Sequence, residues 1–268
     1  MGAICSDQPN ETANANYQSN LTVLLNSLSS KASQNYSFYN GSFNTGIYGL
    51  FLCRGDVSNQ TCQNCLQSAI PRIKDHCGSK KSAIIWYDRC LIRYSDVNFF
   101  GVESTSPYIS WFNENNKTSD IYNLDAISQF SKLIAVAARN DTLFATDVDG
   151  SNSINSYALV QCTRDIDNAS CGRCLTDLMD ISKKCCQSKI GWPVYGPGCY
   201  MRYENYSFTE PTPSPPPLLQ PLPSPQPSPP LLLPPLPSPP QSIPPLPPLE
   251  PQPLPNNGKI VRNIWLNI

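Results

Sequence analysis

Leu21, Leu24, Leu25 and Leu28 stand at i, i+3, i+4 and i+7, with polar residues around them. An α-helix turns once every 3.6 residues, so this spacing places the four leucines on one helical face. At a distance of 109 residues Phe130, Leu133, Ile134 and Ala137 repeat the apolar positions and predict a second such helix. Short runs rich in β-branched and aromatic residues follow each helix, at 48–53, 83–87 and 90–94 and again at 157–162, 193–195 and 199–203. Their length and composition predict strands. Further helices are expected to start near Asn59 and Asn168 and to carry a C-x2-C pair each. Pro71 is expected to kink or end the first of them, because proline lacks the N–H that a helix interior needs. Helices and strands in this mixture predict an α+β fold, with a sheet covered by helices.

The cysteines make the repeat explicit. Cys53-x8-Cys62-x2-Cys65 recurs as Cys162-x8-Cys171-x2-Cys174, and Cys77 and Cys90 recur as Cys186 and Cys199, all at the offset of 109. Tyr48, Leu50, Leu66, Arg93 and Tyr94 have identical residues at the same offset. A single offset over so many positions means two homologous domains, near 1–102 and 108–210. Residues 211–255 differ in kind: they hold 23 prolines and cannot pack a core. Such a tract favours polyproline II and reads as an extended stalk of roughly 140 Å at about 3.1 Å per residue. The tail 256–268 ends in an apolar stretch of ten residues, short of the roughly 20 that cross a bilayer.

Composition narrows the compartment. Of 268 residues 28 are proline and 12 cysteine, and all the cysteines precede residue 200. An even count at this density is a disulfide framework in an oxidising environment. Nine N-x-S/T sequons agree with a glycosylated exterior: Asn10, Asn20, Asn35, Asn40, Asn59, Asn116, Asn140, Asn168 and Asn205. With a formal net charge of −1, no basic surplus points to nucleic acid or an anionic membrane. The first twenty residues lack the apolar core of a signal peptide, so the sequence either starts at a mature end or lacks a first exon. Met1-Gly2-Ala3-Ile4-Cys5-Ser6 also fits a myristoylation pattern, which would make the chain cytosolic.

The doubled C-x8-C-x2-C, with Tyr-Gly-Leu-Phe-Leu-Cys ending at Cys53 and Cys-Leu-Ile-Arg-Tyr starting at Cys90, closely resembles the plant ginkbilobin-homologous (salt-stress/antifungal) domain. Tandem copies are similar to the ectodomains of cysteine-rich receptor-like kinases and to cysteine-rich repeat secretory proteins, and the likeness covers residues 1–210. The resemblance implies two helices against an antiparallel sheet of about five strands in each domain. It implies bridges Cys5–Cys77, Cys53–Cys62, Cys65–Cys90, Cys162–Cys171 and Cys174–Cys199. At the constant offset Cys5 meets Glu114, so Cys186 lacks its partner and Cys185 is an extra neighbour. A vicinal bridge, an intermolecular bridge and two free thiols all fit. Functionally the resemblance implies an extracellular recognition module of apoplastic stress or defence signalling, or else a freely secreted, lectin-like antifungal protein. Its partner would be an extracellular carbohydrate or protein ligand, with receptor co-partners. Membrane contact would come only through a C-terminal helix that this sequence does not contain.

Sites of chemistry are sparse. The C-x2-C pairs could ligate zinc or cycle redox equivalents, but sequons and resemblance favour structural bridges. His76 is the single histidine and has no counterpart in the second domain, and Asp56 and Asp88 are carboxylates without a defined geometry. No kinase signature is present (G-x-G-x-x-G, V-A-I-K or H-R-D), so neither enzyme activity nor a cofactor or metal is expected. Mannose recognition in the family uses an asparagine, an arginine and a glutamate. Those positions fall on Ser6, Ile84 and Ser95 in the first domain. The second domain keeps Glu204 alone, with Pro193 at the arginine position. Arg93 and Arg202, each beside a tyrosine, fit sheet-face packing, and Trp86, Tyr87, Tyr108 and Trp111 are either core or an aromatic contact surface.

Overall fold

A computed structural model describes residues 1–44, 46–116, 121–150, 155–210 and 260–261. The first domain comprises β1 (Gly2–Cys5), α1 (Ala15–Ser33), β2 (Phe38–Phe43), β3 (Ile47–Cys53), α2 (Asn59–Cys77), β4 (Ala83–Trp86) and β5 (Cys90–Ser95). Its five strands form one antiparallel sheet in the order β1-β4-β5-β3-β2. The second domain repeats this with β6 (Ile109–Ser110), β7 (Phe112–Asn113), α3 (Ile121–Ala137), β8 (Phe144–Asp149), β9 (Ser156–Cys162), α4 (Asn168–Cys185), β10 (Trp192–Tyr195) and β11 (Cys199–Glu204). Its sheet runs β6-β10-β11-β9-β8, again antiparallel. A two-residue strand β12 (Ile260–Val261) pairs with β7. The predicted stalk 211–255 and the rest of the tail 256–268 lie outside the described residues. The fold is α+β.

Helices α1, α2 and α4 begin where the sequence provides a cap. The Asn14 side chain accepts from the Tyr17 N–H at 2.8 Å, Ser58 from Thr61 and Asp167 from Ser170. These satisfy orphan donors of the first turn. Leu21, Leu24, Leu25 and Leu28 are buried beneath α1, and Phe130, Leu133 and Ala137 beneath α3. Gly49 lets α1 approach β3: a Cβ there would lie 2.9 Å from Leu24 Cδ2. Of the two outcomes expected at Pro71, an end to the helix does not occur: α2 runs on past it to Cys77. Pro71 and Gln67, the residue whose carbonyl loses its donor, are both exposed. Water can therefore replace the missing hydrogen bond. Bridges on either side of Pro71 hold the helix to the sheet.

Those bridges are Cys53–Cys62 and Cys65–Cys90 ahead of the proline and Cys5–Cys77 after it. In the second domain Cys162–Cys171 and Cys174–Cys199 repeat two of the three. Cys185 and Cys186 join each other, with the Ser110 hydroxyl 3.2 Å from Cys186 Sγ. Strand register also revises the alignment of Cys5. Cys5 pairs with Ala83 on β4, whereas Ser110 pairs with Val194 on β10. Extending the second register by two residues sets Phe112, not Glu114, opposite Trp192, the repeat of Ala83. Phe112 packs on the core of its domain where the first domain has a bridge.

The strands fail to alternate because each sheet buries both faces. Ile47, Phe51 and Cys53 of β3 point into the helix-covered core, while Leu50 and Leu52 enter a different cluster. That second cluster joins Ile84, Trp86, Leu91 and Phe99 of the first domain to Ile109, Leu159, Tyr195 and Tyr200 of the second. The two sheets thus share a core between the domains. At its edge Gly55 lies against the Phe144 ring, where a Cβ would come within 2.3 Å.

Candidate functional site

A cleft of about 570 Å3 opens at one end of the first sheet, a size typical of small-ligand sites. Register builds it. Ile4 pairs with Ile84 and Ile84 with Arg93, so the three side chains stand in a row across β1, β4 and β5. Two residues further along, the Ser6 N–H donates to the Ser82 carbonyl at 3.0 Å. The same register sets Ser82 beside Ser95. A period of two puts these serines on the same face as the row before. Ser106 and Pro107 of the linker and Pro197 of the second domain close the cleft, and His76 borders it. Ser6, Ile84 and Ser95, separated by up to 89 positions in sequence, therefore meet in one cavity.

Arg93 is the cationic member. Its guanidinium lies 3.9 Å from the centre of the Phe99 ring. Among the described residues no carboxylate lies within 4.0 Å of it and no side chain accepts a hydrogen bond from it. Burial lowers its pKa to about 10, with only Asp165 acting in the other direction.

The equivalent residue in the second domain is satisfied differently. Arg202 stacks on Phe208 at 4.2 Å, as Arg93 does on Phe99. It also donates to Glu204 at 3.0 Å and contacts Asp88 of the first domain. Burial works to lower the Arg202 pKa, but Tyr195 and the Asp88 and Glu204 carboxylates outweigh it and hold it above the ordinary value. Glu204 is itself buried, which raises its pKa against the pull of Arg202. Its carboxylate occupies the space beside Gly191, whose absent Cβ would lie 2.1 Å from Oε2.

Asp56 and Asp88 act as counter-ions at the domain interface. Buried Arg54 donates to Asp56 at 2.6 and 2.9 Å and reaches Asp88 at 3.4 Å. A further N–H of Arg54 meets the Phe208 carbonyl at 3.0 Å, and the Glu210 N–H returns to Asp56 at 2.8 Å. The segment after β11 is thus tied back onto the first domain. Gln161 adds a buried polar contact: it accepts from the Gly55 N–H at 3.1 Å and donates to the Cys53 carbonyl at 3.1 Å. Nothing in the sequence marked Arg54 or Gln161, because Asp88 and the Phe208 carbonyl lie far along the chain from Arg54, and Gly55 and Cys53 belong to the domain opposite Gln161.

The aromatics serve packing. Trp86 is fully buried between the domains, and Trp111 packs on the same cluster. Tyr87 and Tyr108 pack on the two helix-covered cores. Trp86 is thus core, while Tyr87, Tyr108 and Trp111 are half-buried at the edges of the three clusters. All nine sequon asparagines lie at the surface: Asn20 and Asn40 are half-buried and the other seven exposed. Among the described residues no helix is long and apolar enough to cross a membrane.

Comparison with known proteins agrees with this architecture. Residues 4–97 and 110–206 each match the family model described as salt stress response/antifungal. The chain is 35% identical to cysteine-rich repeat secretory protein 38 of Arabidopsis thaliana, over 77% of this chain and 84% of that protein. It is 36% identical to an antimicrobial ginkbilobin-2-like protein of Castanea crenata, over 77% of this chain and 87% of that one. Cysteine-rich receptor-like protein kinase 25 of Arabidopsis thaliana is 33% identical over 81% of this chain but only 34% of its own length. Among solved structures, the tandem DUF26 ectodomain of the Arabidopsis thaliana cysteine-rich receptor-like protein PDLP5 matches with a TM-score of 0.62 at 26% identity. That match covers 76% of this chain and 98% of the other. Doubled cysteine framework, paired five-stranded sheets and matched sequence together show that the chain belongs to the salt stress response/antifungal family, as a tandem pair of its domains.

Proposed function

We propose that this protein is an extracellular recognition module of plant stress or defence signalling, of the kind carried by cysteine-rich receptor-like kinases, and that its ligand sits in the cleft of the first domain. The observation that supports this most is the convergence of Ser6, Ile84, Ser95 and Arg93 in a cavity walled by both domains and the linker. A structural role alone needs no such opening, since the shared core already fixes the domains. The family's mannose-binding side chains are replaced at three of three positions here. The ligand is therefore a different saccharide, held by serine hydroxyls and the arginine. The surface position of all nine sequons supports an extracellular setting.

A second reading is a freely secreted antifungal protein that uses the same cleft. The similarity to the antimicrobial protein, over 87% of its length, favours it. Both readings are tested by screening the glycosylated full chain against cell-wall saccharides and repeating each positive with Ser6→Trp, which fills the cleft. Binding that Ser6→Trp abolishes supports the cleft. Binding indifferent to it, or no binding at all, overturns the site. Growth inhibition of fungal cultures by the free chain separates the antifungal reading from the signalling one.

A further inference from the structure

The two domains carry the same arginine in two electrostatic states. Arg93 and Arg202 occupy equivalent positions and stack on equivalent rings, Phe99 and Phe208. Arg202 is neutralised by Glu204 of its own domain and by Asp88 of the other. At the repeat offset, Glu204 corresponds to Ser95 and Asp88 to Pro197. Ser95 and Pro197 both line the cleft that contains Arg93. Each carboxylate that compensates Arg202 is thus absent around Arg93, and a cavity stands beside it instead.

The nearest charge acting on the Arg93 guanidinium is the Asp165 carboxylate, which stands beyond ion-pair distance and does not outweigh burial, so a desolvation cost remains that a bound anion offsets. Its planar fork suits a carboxylate in particular. Ser6 and Ser95, in the row next to Arg93, supply hydroxyls that donate and accept hydrogen bonds with a polyol. Asp7, the acidic residue on the lining, is exposed at the rim, where solvent and salt screen it. The bland alternative is that Arg93 does no more than stack on Phe99. That accounts for the ring contact but not for the open cavity in place of two carboxylates.

Resting on the cleft as the ligand site, we infer that it recognises an acidic saccharide, whose carboxylate takes on Arg93 the place that Glu204 and Asp88 take on Arg202. The test titrates the full glycosylated chain calorimetrically with trigalacturonate, with its methyl ester and with neutral mannotriose. The acid is expected to bind at least about tenfold tighter than its ester, the worth of one charge-assisted hydrogen bond, and to weaken as salt rises. Arg93→Met keeps an apolar stem against Phe99 and should lose about tenfold or more for the acid. Ser95→Glu rebuilds the arrangement of the second domain. It should fold with at least the parent's stability yet lose the acid, because Arg93 is then internally paired. Equal binding of acid and ester, or acid binding that survives both variants, overturns the inference. Neutral sugar binding that Ser6→Trp abolishes and Arg93→Met spares overturns the inference but leaves the cleft as the site. No saccharide binding at all overturns both.

Discussion

Trp86 of the first domain donates its indole N–H to the Gly196 carbonyl of the second at 3.1 Å, within a fully buried contact. The bond satisfies the one polar atom of a side chain otherwise enclosed by the shared core. The domains should therefore unfold together, in one transition rather than two. Trp86→Ala should cost about 3–5 kcal/mol, as large aromatic truncations do. Trp86→Phe should cost about 1–3 kcal/mol, through the carbonyl left unpaired. Denaturant melts read at helical and aromatic wavelengths check both, and two resolved transitions in the parent would contradict the shared core.

Arg54 is 1% exposed and Asp56 10%, so this pair has little access to water. Arg54→Met removes one partner and leaves a buried carboxylate, which should destabilise by about 3–5 kcal/mol. Adding Asp56→Leu should recover much of that loss, because the stranded charge is then gone. The comparison of single and double variants by chemical denaturation distinguishes a charge effect from lost packing.

Cys5–Cys77 closes a sequence separation of 72, against 9 for Cys53–Cys62. Loop-closure entropy makes the longer loop worth about 2 kcal/mol more. The Cys5→Ser, Cys77→Ser protein should therefore lose more stability than the Cys53→Ser, Cys62→Ser protein in the same denaturation assay. The second domain has no equivalent bridge, and Phe112 packs at that point instead. Phe112→Ala should weaken it.

Acid should weaken the fold through a few defined carboxylates. The Ser170 backbone N–H holds Asp167 below its ordinary pKa, the Ser58 N–H does the same for Glu210, and Arg173 does so for Glu103. A depressed folded pKa means that the unfolded chain binds protons first as pH falls. Their contribution is present above the ordinary carboxylate range, near pH 4.5, and is lost as pH drops below it. Glu204 acts in the opposite sense: its raised pKa favours the folded state at low pH and weakens that preference as pH rises. Asp167→Asn should flatten the acid limb of a plot of stability against pH, whereas Glu204→Gln should steepen it.

The repeat offset made most of the scaffold legible. β3, β4 and β5 recur at 109 residues as β9, β10 and β11 with identical lengths, and the helix cores fall on the predicted faces. The edge strands were not legible. Gly2–Cys5 is four residues long, Phe38–Phe43 contains an Asn-Gly pair, and Phe144–Asp149 carries two aspartates. All three gain strand structure from pairing with a neighbour rather than from their own propensity. The match of Cys5 to Glu114 failed for the same reason, since register and not residue count aligns an edge strand. Periodicity also left the second buried face of each sheet unexplained, because a partner domain is invisible to local spacing. The cleft residues Ser6, Ile84 and Ser95 could be named from the resemblance, but Arg93 read only as sheet-face packing. Its distinction lies in what its twin Arg202 has and it lacks.

The central claim, a disulfide-fastened extracellular pair of domains, is tested most directly by non-reducing peptide mass spectrometry on protein secreted from plant cells behind a supplied signal peptide. Linked peptides joining Cys5 to Cys77, Cys53 to Cys62, Cys65 to Cys90, Cys162 to Cys171 and Cys174 to Cys199 are expected, with Cys185 and Cys186 unlinked to any other peptide and glycans on the exposed sequons. Free thiols throughout, or other pairings with bare asparagines, would contradict it.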